Sequence, residues 1–463
     1  MPIDINALSA DRSAEKYDLY DRHLNSQMVK VLKTIGFDRG YVRGKGAYLY
    51  DRDENRYLDL LSGFGVFAVG RNHPTVIGAL QQVLTADLPN LVQMDVSLLS
   101  GLLAERLLPR LNGMDKMFFC NSGAEAVEAA MKFCRAATGR DRLLFCDHAF
   151  HGLTYGALSL NGDDHFRDGF GPLLPHCEAI PFNDLMALDR ALAAGDVAGF
   201  IVEPIQGKGV NMPADDYLKE AARLCKRHGA LFVVDEIQTG IGRTGKFLAI
   251  DHWGVEPDMV LLAKALSGGF VPVGAVAMKK PMFNKIFDRM DRAVVHGSTF
   301  AKTDIAMAAG LATLQVLEDE KLIENAAAIG DGILADLAAL IGRHEFVKTV
   351  RGKGLMIAIE FGTPKSLSLK AAWALLEQAN KGLFSQMIII PLLKQHRIIT
   401  QVAGYSMNVI KLIPPLTLTA EDRAWIRRGF EQVVADSHRV PGAIWDLGRT
   451  LAAHSLKARS SAA

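Results

Sequence analysis

Hydrophobic positions follow two periods through the middle of the chain, the short alternation of strands and the longer repeat of helices. Between residues 76 and 315, β-branched and aromatic runs are followed by glycine-rich turns and then by amphipathic stretches. The runs predict strands at residues 116–120, 142–146, 199–203, 231–235, 259–263 and 273–278. Because strands that alternate with helices form parallel sheets covered on both faces, the pattern predicts an α/β fold with a mostly parallel sheet.

The outer parts of the chain have a different pattern. Residues 1–75 combine a charged helical start with a short strand and turn, and residues 316–463 begin with a long helix. A chain of 463 residues also exceeds the usual size of one hydrophobic core. We therefore predict a large domain over 76–315, a smaller domain over 316–463, and an N-terminal segment over 1–75 that joins the smaller domain.

The longest apolar run, residues 382–393, has two interpretations. It is shorter than the ~18–20 residues that cross a bilayer, so we predict no membrane span. Packing in the core is the interpretation that its composition favours. The alternative is that the run lines a substrate channel.

Composition narrows the classes of function. The chain is 49% hydrophobic and 22% charged, with a formal net charge of +1, so it has no basic excess for nucleic acid or an anionic membrane. The five cysteines are scattered without a CxxC pair, and the N-terminus has no apolar leader, which favours a cytoplasmic protein. We expect no metal site, because the sequence has no HExxH motif and no clustered His/Cys set.

Three of the predicted strands end at residues that can carry chemistry. Ser122 and Gly123 open a helix, where free N–H groups form a phosphate seat, although Ser122 could simply cap the helix. Asp235 ends an apolar strand, where a buried carboxylate requires a cationic partner such as a protonated pyridine. The alternative is that Asp235 caps the loop that follows. Lys264 follows another apolar strand, where burial lowers the pKa of a lysine and favours Schiff-base formation. The alternative is that its side chain extends to solvent. Together the three match the needs of pyridoxal phosphate (PLP).

A nucleotide site is the rival interpretation of the same region. Residues 231–236 resemble a Walker B strand, and residues 240–246 (GIGRTGK) nearly fit a phosphate-binding loop. However, Phe247 stands where that loop requires Ser or Thr, and the loop does not follow its strand directly. These departures favour the PLP interpretation.

Six ordered sequence blocks carry a family resemblance. They are SGFGVFAVG, FFCNSGAEAVEAAMK, AFHGLTYGALS, VEPIQGKG, VVDEIQTGIGRTGK and LAKALSGG. They resemble the class III (ornithine and ω-amine type) aminotransferases of the fold-type I PLP enzymes, most closely the putrescine type, over residues 46–418. The resemblance implies a seven-stranded, mostly parallel sheet, a smaller α/β domain built from both ends of the chain, and a homodimer with shared active sites.

The resemblance also implies roles for individual residues. Lys264 would form the Schiff base with PLP and then move a proton between substrate and cofactor, while Asp235 would pair with the ring nitrogen. The other implied cofactor contacts are Ser122, Gly123 and Ala124 at the phosphate, Phe150 on the ring with His151 beside it, Gln238 at the ring hydroxyl, and the Ser298–Thr299 segment of the second subunit.

Two positions depart from the family pattern. Residues 301–303 read Ala-Lys-Thr, where the family usually has Gly-Gly-Asn, which weakens the assignment of Thr299. Lys411 stands where relatives that act on amino acids have an arginine that clamps the α-carboxylate, and lysine lacks that bidentate fork. Glu203 is the predicted partner of Lys411, with a purely structural role as the alternative.

These features predict an activity and a substrate class. Phe64, Val66 and Phe67 are expected to form the wall of the pocket. We predict a ping-pong transaminase that moves an amino group between a primary amine (apolar or a diamine, or the matching aldehyde) and an α-keto acid. An ornithine-type α-amino-acid aminotransferase, and an aminomutase, racemase or decarboxylase with the same cofactor, are the alternatives.

Overall fold

The computed structural model describes residues 3–460. Its strands are β1 (Arg43–Lys45), β2 (Tyr48–Tyr50), β3 (Arg56–Asp59), β4 (Lys116–Cys120), β5 (Arg142–Cys146), β6 (Cys177–Ile180), β7 (Val197–Val202), β8 (Leu231–Asp235), β9 (Met259–Leu262), β10 (Gly274–Met278), β11 (Val347–Lys353), β12 (Met356–Phe361), β13 (Ile398–Ile399), β14 (Gln401–Val402) and β15 (Val409–Leu412).

The α-helices occupy much of the remaining described chain. They are α1 (Ile5–Asp11), α2 (Lys16–His23), α3 (Ser26–Ile35), α4 (Ser62–Gly65), α5 (Pro74–Thr85), α6 (Leu98–Leu107), α7 (Gly123–Thr138), α8 (Tyr155–Ser159), α9 (Asp164–Arg167), α10 (Leu185–Leu192), α11 (Tyr217–His228), α12 (Lys280–Ile286), α13 (Asp304–Asp319), α14 (Leu322–Ala338), α15 (Leu367–Ala379), α16 (Leu383–His396), α17 (Ala420–Asp436) and α18 (Ala443–Ser460).

A seven-stranded sheet forms the centre of the molecule. Its strand order is β4-β10-β9-β8-β7-β5-β6. The pairs from β9 through β6 are parallel, and β10 runs antiparallel to both β9 and β4. Strands β7, β9 and β10 are buried along their whole length, as expected when helices cover both faces. The mostly parallel sheet is therefore confirmed.

Most strands in this sheet lie where the apolar runs predict them. Strands β4, β5 and β8 have the predicted bounds, whereas β7 begins two residues earlier than predicted, at Val197. The edge strand β6 was not predicted. It is short, and its sequence CEAI is exposed at two central positions, so it lacks the apolar run that marks the other strands.

Helix ends near the sheet follow local chemistry. Ser122 caps α7 by accepting a hydrogen bond at 3.1 Å from the Glu125 backbone N–H. The helix ends at Gly139, whose φ of +70° suits glycine. Helix α11 likewise ends at Gly229, which lies in the left-handed region.

The two ends of the chain meet in smaller sheets. Strand β13 pairs in parallel with β3, which places Ile398 opposite Leu58. A second antiparallel sheet has the order β11-β12-β15-β14. The N-terminal and C-terminal segments therefore share structure, as the family resemblance implies. The boundaries at residues 75 and 315 stay a prediction.

The apolar run at residues 382–393 forms most of α16. Ten residues of this helix are buried, and it packs against α15, α17 and α18. None of its described residues lines the cavity beside Lys264. The core interpretation is therefore correct and the channel hypothesis is wrong. Within residues 3–460, no helix is both long enough and apolar enough to cross a membrane.

Candidate active site

A cavity of about 820 Å³ lies at the carboxyl ends of β4, β7, β8 and β9. This is the position where open α/β sheets bind ligands, because loops that follow neighbouring strands converge there. Of the predicted site residues, it gathers Ser122, Gly123, Ala124, Phe150, His151, Asp235, Gln238, Lys264, Phe64, Glu203 and Lys411.

The start of α7 forms one wall of the cavity. Ser122, Gly123 and Ala124 all line it, so the positive end of the helix dipole faces the space. Close packing fixes this turn, because a Cβ on Gly274 of the adjacent strand would lie 2.3 Å from the Ser122 carbonyl oxygen. Capping and cavity lining therefore occur together at Ser122, and an anionic group would fit beside this turn.

Asp235 binds a histidine at the end of β8. Its side chain is 3% exposed, and its Oδ2 lies 2.7 Å from His151 Nδ1 while its Oδ1 accepts the Ile237 N–H at 3.0 Å. Burial opposes protonation of His151, but the hydrogen bond and the charge of Asp235 outweigh it and raise the pKa of His151. The carboxylate is thus held in a fixed direction beside the cavity.

Lys264 lies directly after β9 in an unusual backbone conformation. Its φ is +42°, in a region that residues other than glycine rarely adopt and that is common at functional sites. Burial lowers the pKa of Lys264, and the nearby carboxylates of Asp235 and Glu203 only partly oppose this effect. A lysine with a lowered pKa supplies the neutral amine that an aldehyde requires.

The predicted pair between Glu203 and Lys411 is absent. Glu203 instead accepts backbone N–H groups of Phe150 at 3.0 Å and Gly207 at 2.7 Å. The ammonium of Lys411 donates to the Gly207 carbonyl at 2.7 Å and to Gln238 Oε1 at 3.2 Å. The prediction was wrong because backbone N–H groups from the loops after β5 and β7 satisfy Glu203.

The predicted pocket wall is correct in part. Phe64 and Val66 line the cavity. Phe67 does not, because its ring turns towards Gly269 and the guanidinium of Arg71 lies 4.0 Å from its centre. Gln238 donates from Nε2 to the Phe64 carbonyl at 3.1 Å, which ties this wall to the Lys411 side of the cavity.

An aromatic wall with a third lysine, Lys208, was not predicted from the sequence. The rings of Phe150 and Phe166 meet edge to face with centroids 5.5 Å apart. Lys208 lies 4.1 Å from the Phe166 ring centre and forms an ion pair with Asp163 at 2.5 Å. Tyr405 also borders the cavity. Phe150 and Lys208 lie within two of the sequence blocks quoted above, whereas Phe166 and Tyr405 lie in none, so the sequence alone could not have revealed those two.

Ser298 and Thr299 lie outside this cavity. Ser298 accepts a hydrogen bond from the Asn121 side chain at 2.6 Å, which places it next to the turn at Ser122. Thr299 is exposed and borders a separate, larger surface depression. Their predicted contact with a second subunit stays a prediction.

The GIGRTGK loop does not form a phosphate cradle. Arg243, at its centre, is 2% exposed and donates to the carbonyls of Pro414 and Leu355. Lys246 donates to the Asp251 carbonyl at 2.8 Å. Because both cations bind the chain's own backbone, the loop has a structural role and the nucleotide interpretation loses its support.

The cavity fits PLP in shape and in donor chemistry. The helix start at Ser122 suits an anion, Asp235 suits a cationic ring nitrogen, and Lys264 suits an aldehyde. In addition, the buried His151 Nε2 has no hydrogen-bond partner among the described residues. A buried polar atom of this kind commonly marks a binding site. Within the described chain, no group of acidic, His or Cys side chains could hold a metal ion.

Comparison with known proteins identifies the family. The fold and the site together define a PLP enzyme of the transferase type, and the aminotransferase class-III family model matches residues 34–434. The chain belongs to the class III aminotransferases, which are PLP-dependent transaminases. Acetylornithine aminotransferase from Bacillus cereus is 38% identical over 383 residues, covering 82% of this chain and 91% of the relative.

Two further proteins with similar sequence or structure are also aminotransferases. Aminotransferase PigE from Serratia sp. is 34% identical over 450 residues, and the match covers 90% of this chain but 53% of PigE, so the chain spans about half of that relative. An amine transaminase from an uncultivated Pseudomonas species, solved in its PLP-bound form, has a TM-score of 0.74 and 29% identity, covering 85% of this chain and 94% of that one. Putrescine-type specificity stays a prediction.

Proposed function

We propose that the chain transfers an amino group between a primary amine, or the matching aldehyde, and an α-keto acid. The observation that carries the proposal is the identity and setting of Lys411. It replaces the arginine of amino-acid-specific relatives, and it donates to two uncharged oxygens. No arginine is among the described residues that line the cavity, so a bidentate clamp for an α-carboxylate is missing.

The apolar wall supports an amine without a carboxylate. Phe64, Val66, Phe166, Phe270 and Val271 border the cavity. Apolar surface of this kind stabilises a hydrocarbon chain by about 25 cal/mol per Å² buried. The substrate group opposite the amine is therefore proposed to be apolar, or to carry a second amine.

Each residue around the proposed PLP site has a different role in the proposed reaction. PLP, when bound, supplies the electron sink that makes the substrate C–H bond acidic. Lys264 would first hold the cofactor aldehyde and then, as a free amine, accept and return the proton at the substrate carbon. Asp235, oriented by His151, would keep the ring nitrogen protonated. Ser122, Gly123 and Ala124 would bind the phosphate, Phe150 would stack on the ring, and Gln238 would contact its hydroxyl.

A homodimer is part of the proposal. The surface depression that includes Thr299 has a volume of about 1790 Å³, and large apolar side chains stand exposed around it, including Met94 at 98% and Met290 at 96%. Apolar patches on this scale mark protein interfaces. A second copy there would bring its Thr299 to the phosphate end of the cavity. All five cysteines are free, which suits the cytoplasm, where we place the protein.

An α-amino-acid transaminase is the second candidate. It is favoured by the Bacillus cereus relative, whose name specifies acetylornithine. The two candidates differ in the carboxylate that the amino donor carries. A decarboxylase, a racemase or an aminomutase would not require a keto-acid acceptor. The need for an acceptor therefore separates a transaminase from those alternatives.

An absorbance titration tests the proposal. The purified protein, beside the Lys264→Ala variant, is mixed with amines and with α-amino acids in turn. We expect a Schiff-base band in the wild type that shifts with amines, and with no α-amino acid other than the one formed from the acceptor keto acid. A shift with α-amino acids alone would establish the second candidate, and the lack of a band after addition of PLP would contradict the enzyme class.

A further inference from the structure

Lys411 is a buried lysine that has no acidic hydrogen-bond partner among the described residues. It lies on β15 with 5% of its surface exposed, and it borders the cavity. The two groups that it binds, the Gly207 carbonyl and Gln238 Oε1, are amide oxygens without charge. A neutral amine can keep both hydrogen bonds, because it still has two N–H groups, whereas an ammonium there remains uncompensated.

The titratable groups that act on Lys411 come from three other parts of the chain. Lys264, Arg243 and Lys208 are its basic neighbours, and Glu203 is its acidic neighbour. Glu203 is already bound by two backbone N–H groups. Burial, followed by the repulsion of Lys264, outweighs the attraction of Glu203 and lowers the pKa of Lys411 to about 7.

A transaminase that takes amines and keto acids must accept two kinds of substrate in one cavity. An apolar amine donor places hydrocarbon where a keto acid places its carboxylate. A permanently charged arginine must move away or be covered to admit hydrocarbon. A lysine in the setting of Lys411 can change its charge instead, without moving.

We propose that Lys411 receives the carboxylate of the keto-acid acceptor and takes up one proton from solvent as that carboxylate binds. With an amine in the cavity, Lys411 is neutral and donates only to Gly207 and Gln238. With a keto acid, its nitrogen gains a proton and a third N–H for the carboxylate oxygen. The inference rests on the proposed function and names the feature that lets one site serve both substrates.

Linkage gives the proposal a measurable signature. When a ligand requires the protonated form of a group, its affinity falls about tenfold for each pH unit above that group's pKa. Carboxylate binding to the wild type should therefore weaken about tenfold per unit above about pH 7, and each binding event at about pH 8 should take up close to one proton. Binding of an uncharged amine analogue should not show this uptake.

Calorimetric titration of the PLP-loaded enzyme with glutarate measures the proton directly. Glutarate has two carboxylates but no keto group, so it cannot accept an amino group. Titrations in phosphate and in Tris at about pH 8 differ in heat by the number of protons taken up multiplied by the difference in buffer ionisation enthalpy. We expect about one proton for the wild type and close to none for Lys411→Arg, which is charged in both states.

Two variants separate Lys411 from its neighbours. Lys411→Gln keeps a polar side chain but cannot be charged, so glutarate should bind at least tenfold more weakly and without pH dependence. Lys208→Arg should still take up the proton, because Lys208 already has Asp163 as its partner. Uptake that persists in Lys411→Arg would assign the proton to another group, such as Glu203, and overturn the proposal.

Three other results would contradict the proposed role of Lys411. Glutarate binding without proton uptake by the wild type, or equally tight binding by Lys411→Gln, would overturn the proposal. So would a lack of binding by an enzyme that still converts an α-keto acid, because the carboxylate would then bind elsewhere. In each case the PLP band and the amine reactivity are unaffected, so failure here is distinct from failure of the proposed function.

Discussion

Single side chains around the cavity have pKa values displaced in directions that suit their positions. Burial lowers the pKa of Lys264 and of Lys411. Burial also raises the pKa of Glu203, with a smaller opposing effect from His151. Each shift favours the uncharged form of the group. The low polarity of the cavity therefore favours the uncharged forms of the residues that would contact substrate.

The buried lysine on β15 should cost stability at neutral pH. An ordinary lysine has a pKa near ~10.4, whereas that of Lys411 is about 7. Between these values the unfolded chain binds a proton that the folded chain does not, so stability rises with pH across this window. Lys411→Met should stabilise the protein by about 1–3 kcal/mol near pH 7, and by less as the pH approaches 10.

Urea unfolding at several pH values checks this expectation. The control is Lys370→Met, because Lys370 is exposed on α15 and its replacement should change stability by less than about 0.5 kcal/mol. A gain for Lys411→Met that is the same at every pH would show that packing, and not the buried charge, is responsible.

Arg243 should be essential for holding the wall of the cavity. Its guanidinium donates to Leu355, Pro414 and Gly65, which belong to three separate segments. A lysine has one nitrogen and cannot reproduce that fork. Arg243→Lys should destabilise the protein by about 3 kcal/mol and raise KM for amines, because Gly65 lies beside Phe64.

Thermal unfolding and steady-state kinetics measure the two effects of Arg243→Lys. Arg439→Lys is a suitable control, since Arg439 is 75% exposed, lies beyond the end of α17 and pairs with Asp436, the last residue of that helix. An unchanged Tm for Arg243→Lys would show that the three carbonyls find other donors.

At the scale of elements, the sequence predicts what is determined locally. Strand β8 ends at Asp235 because an apolar run ends there, and α7 begins at Ser122 because a capping residue and free N–H groups coincide. The end of α11 at Gly229 has the same kind of local cause. Since parallel strands end at one edge of the sheet, the convergence of Ser122, Asp235 and Lys264 was also predictable.

Contacts between distant segments could not be predicted in this way. The ammonium of Lys411 binds a carbonyl 204 residues away in sequence, and no pattern near Lys411 indicates that partner. Strand β13 is two residues long and exists because β3 lies beside it. Phe64 lines the cavity and Phe67 does not, because the ring of Phe67 lies against Gly269, which is distant in sequence. Long-range packing therefore decided the predictions that were wrong.

The packing of β10 against the start of α7 should control cofactor binding. A Cβ on Gly274 would lie 2.3 Å from the Ser122 carbonyl oxygen and 2.8 Å from Cys120 Sγ. The backbone at Ser122 would have to move, which shifts the proposed phosphate seat. Gly274→Ala should destabilise the protein by about 1–3 kcal/mol and weaken PLP binding at least tenfold.

Fluorescence titration with PLP, combined with urea unfolding, tests the variant. Gly78→Ala is the matched control, because Gly78 lies within α5 and a Cβ there meets nothing within 4 Å. It should stabilise the protein by about 0.5–1 kcal/mol without changing PLP affinity. If Gly274→Ala binds PLP as tightly as the wild type, the phosphate does not bind at this turn.

At the scale of the whole molecule, the single chain leaves much apolar surface exposed. Within the described residues, α1 and α2 bury no side chain, and Leu24 is 73% exposed. Val96 and Met290 line the depression near Thr299, and Met94 is exposed directly beside it, so all three add to this surface. Isolated exposed apolar residues are ordinary, but a contiguous set of them is typical of an interface. The proposed homodimer accounts for both regions.

A double variant, Met94→Glu with Met290→Glu, should separate the proposed dimer. Two new carboxylates on each copy, four in all, would oppose association, because they replace apolar contacts and because burial of a charge costs free energy. We expect sedimentation velocity to show a dimer for the wild type and a monomer for the variant. The monomer should bind PLP more weakly, because it lacks the Thr299 of a second copy at the phosphate.

Loss of PLP affinity distinguishes a shared site from simple association. Met186→Glu is the control, since Met186 is 74% exposed on α10 and does not border the depression; it should remain dimeric with unchanged PLP affinity. A monomeric double variant that binds PLP as the wild type does would mean that each chain holds the cofactor alone. The assignment of Thr299 would then be wrong, while the roles of Lys264 and Asp235 would stand, because both act within one chain.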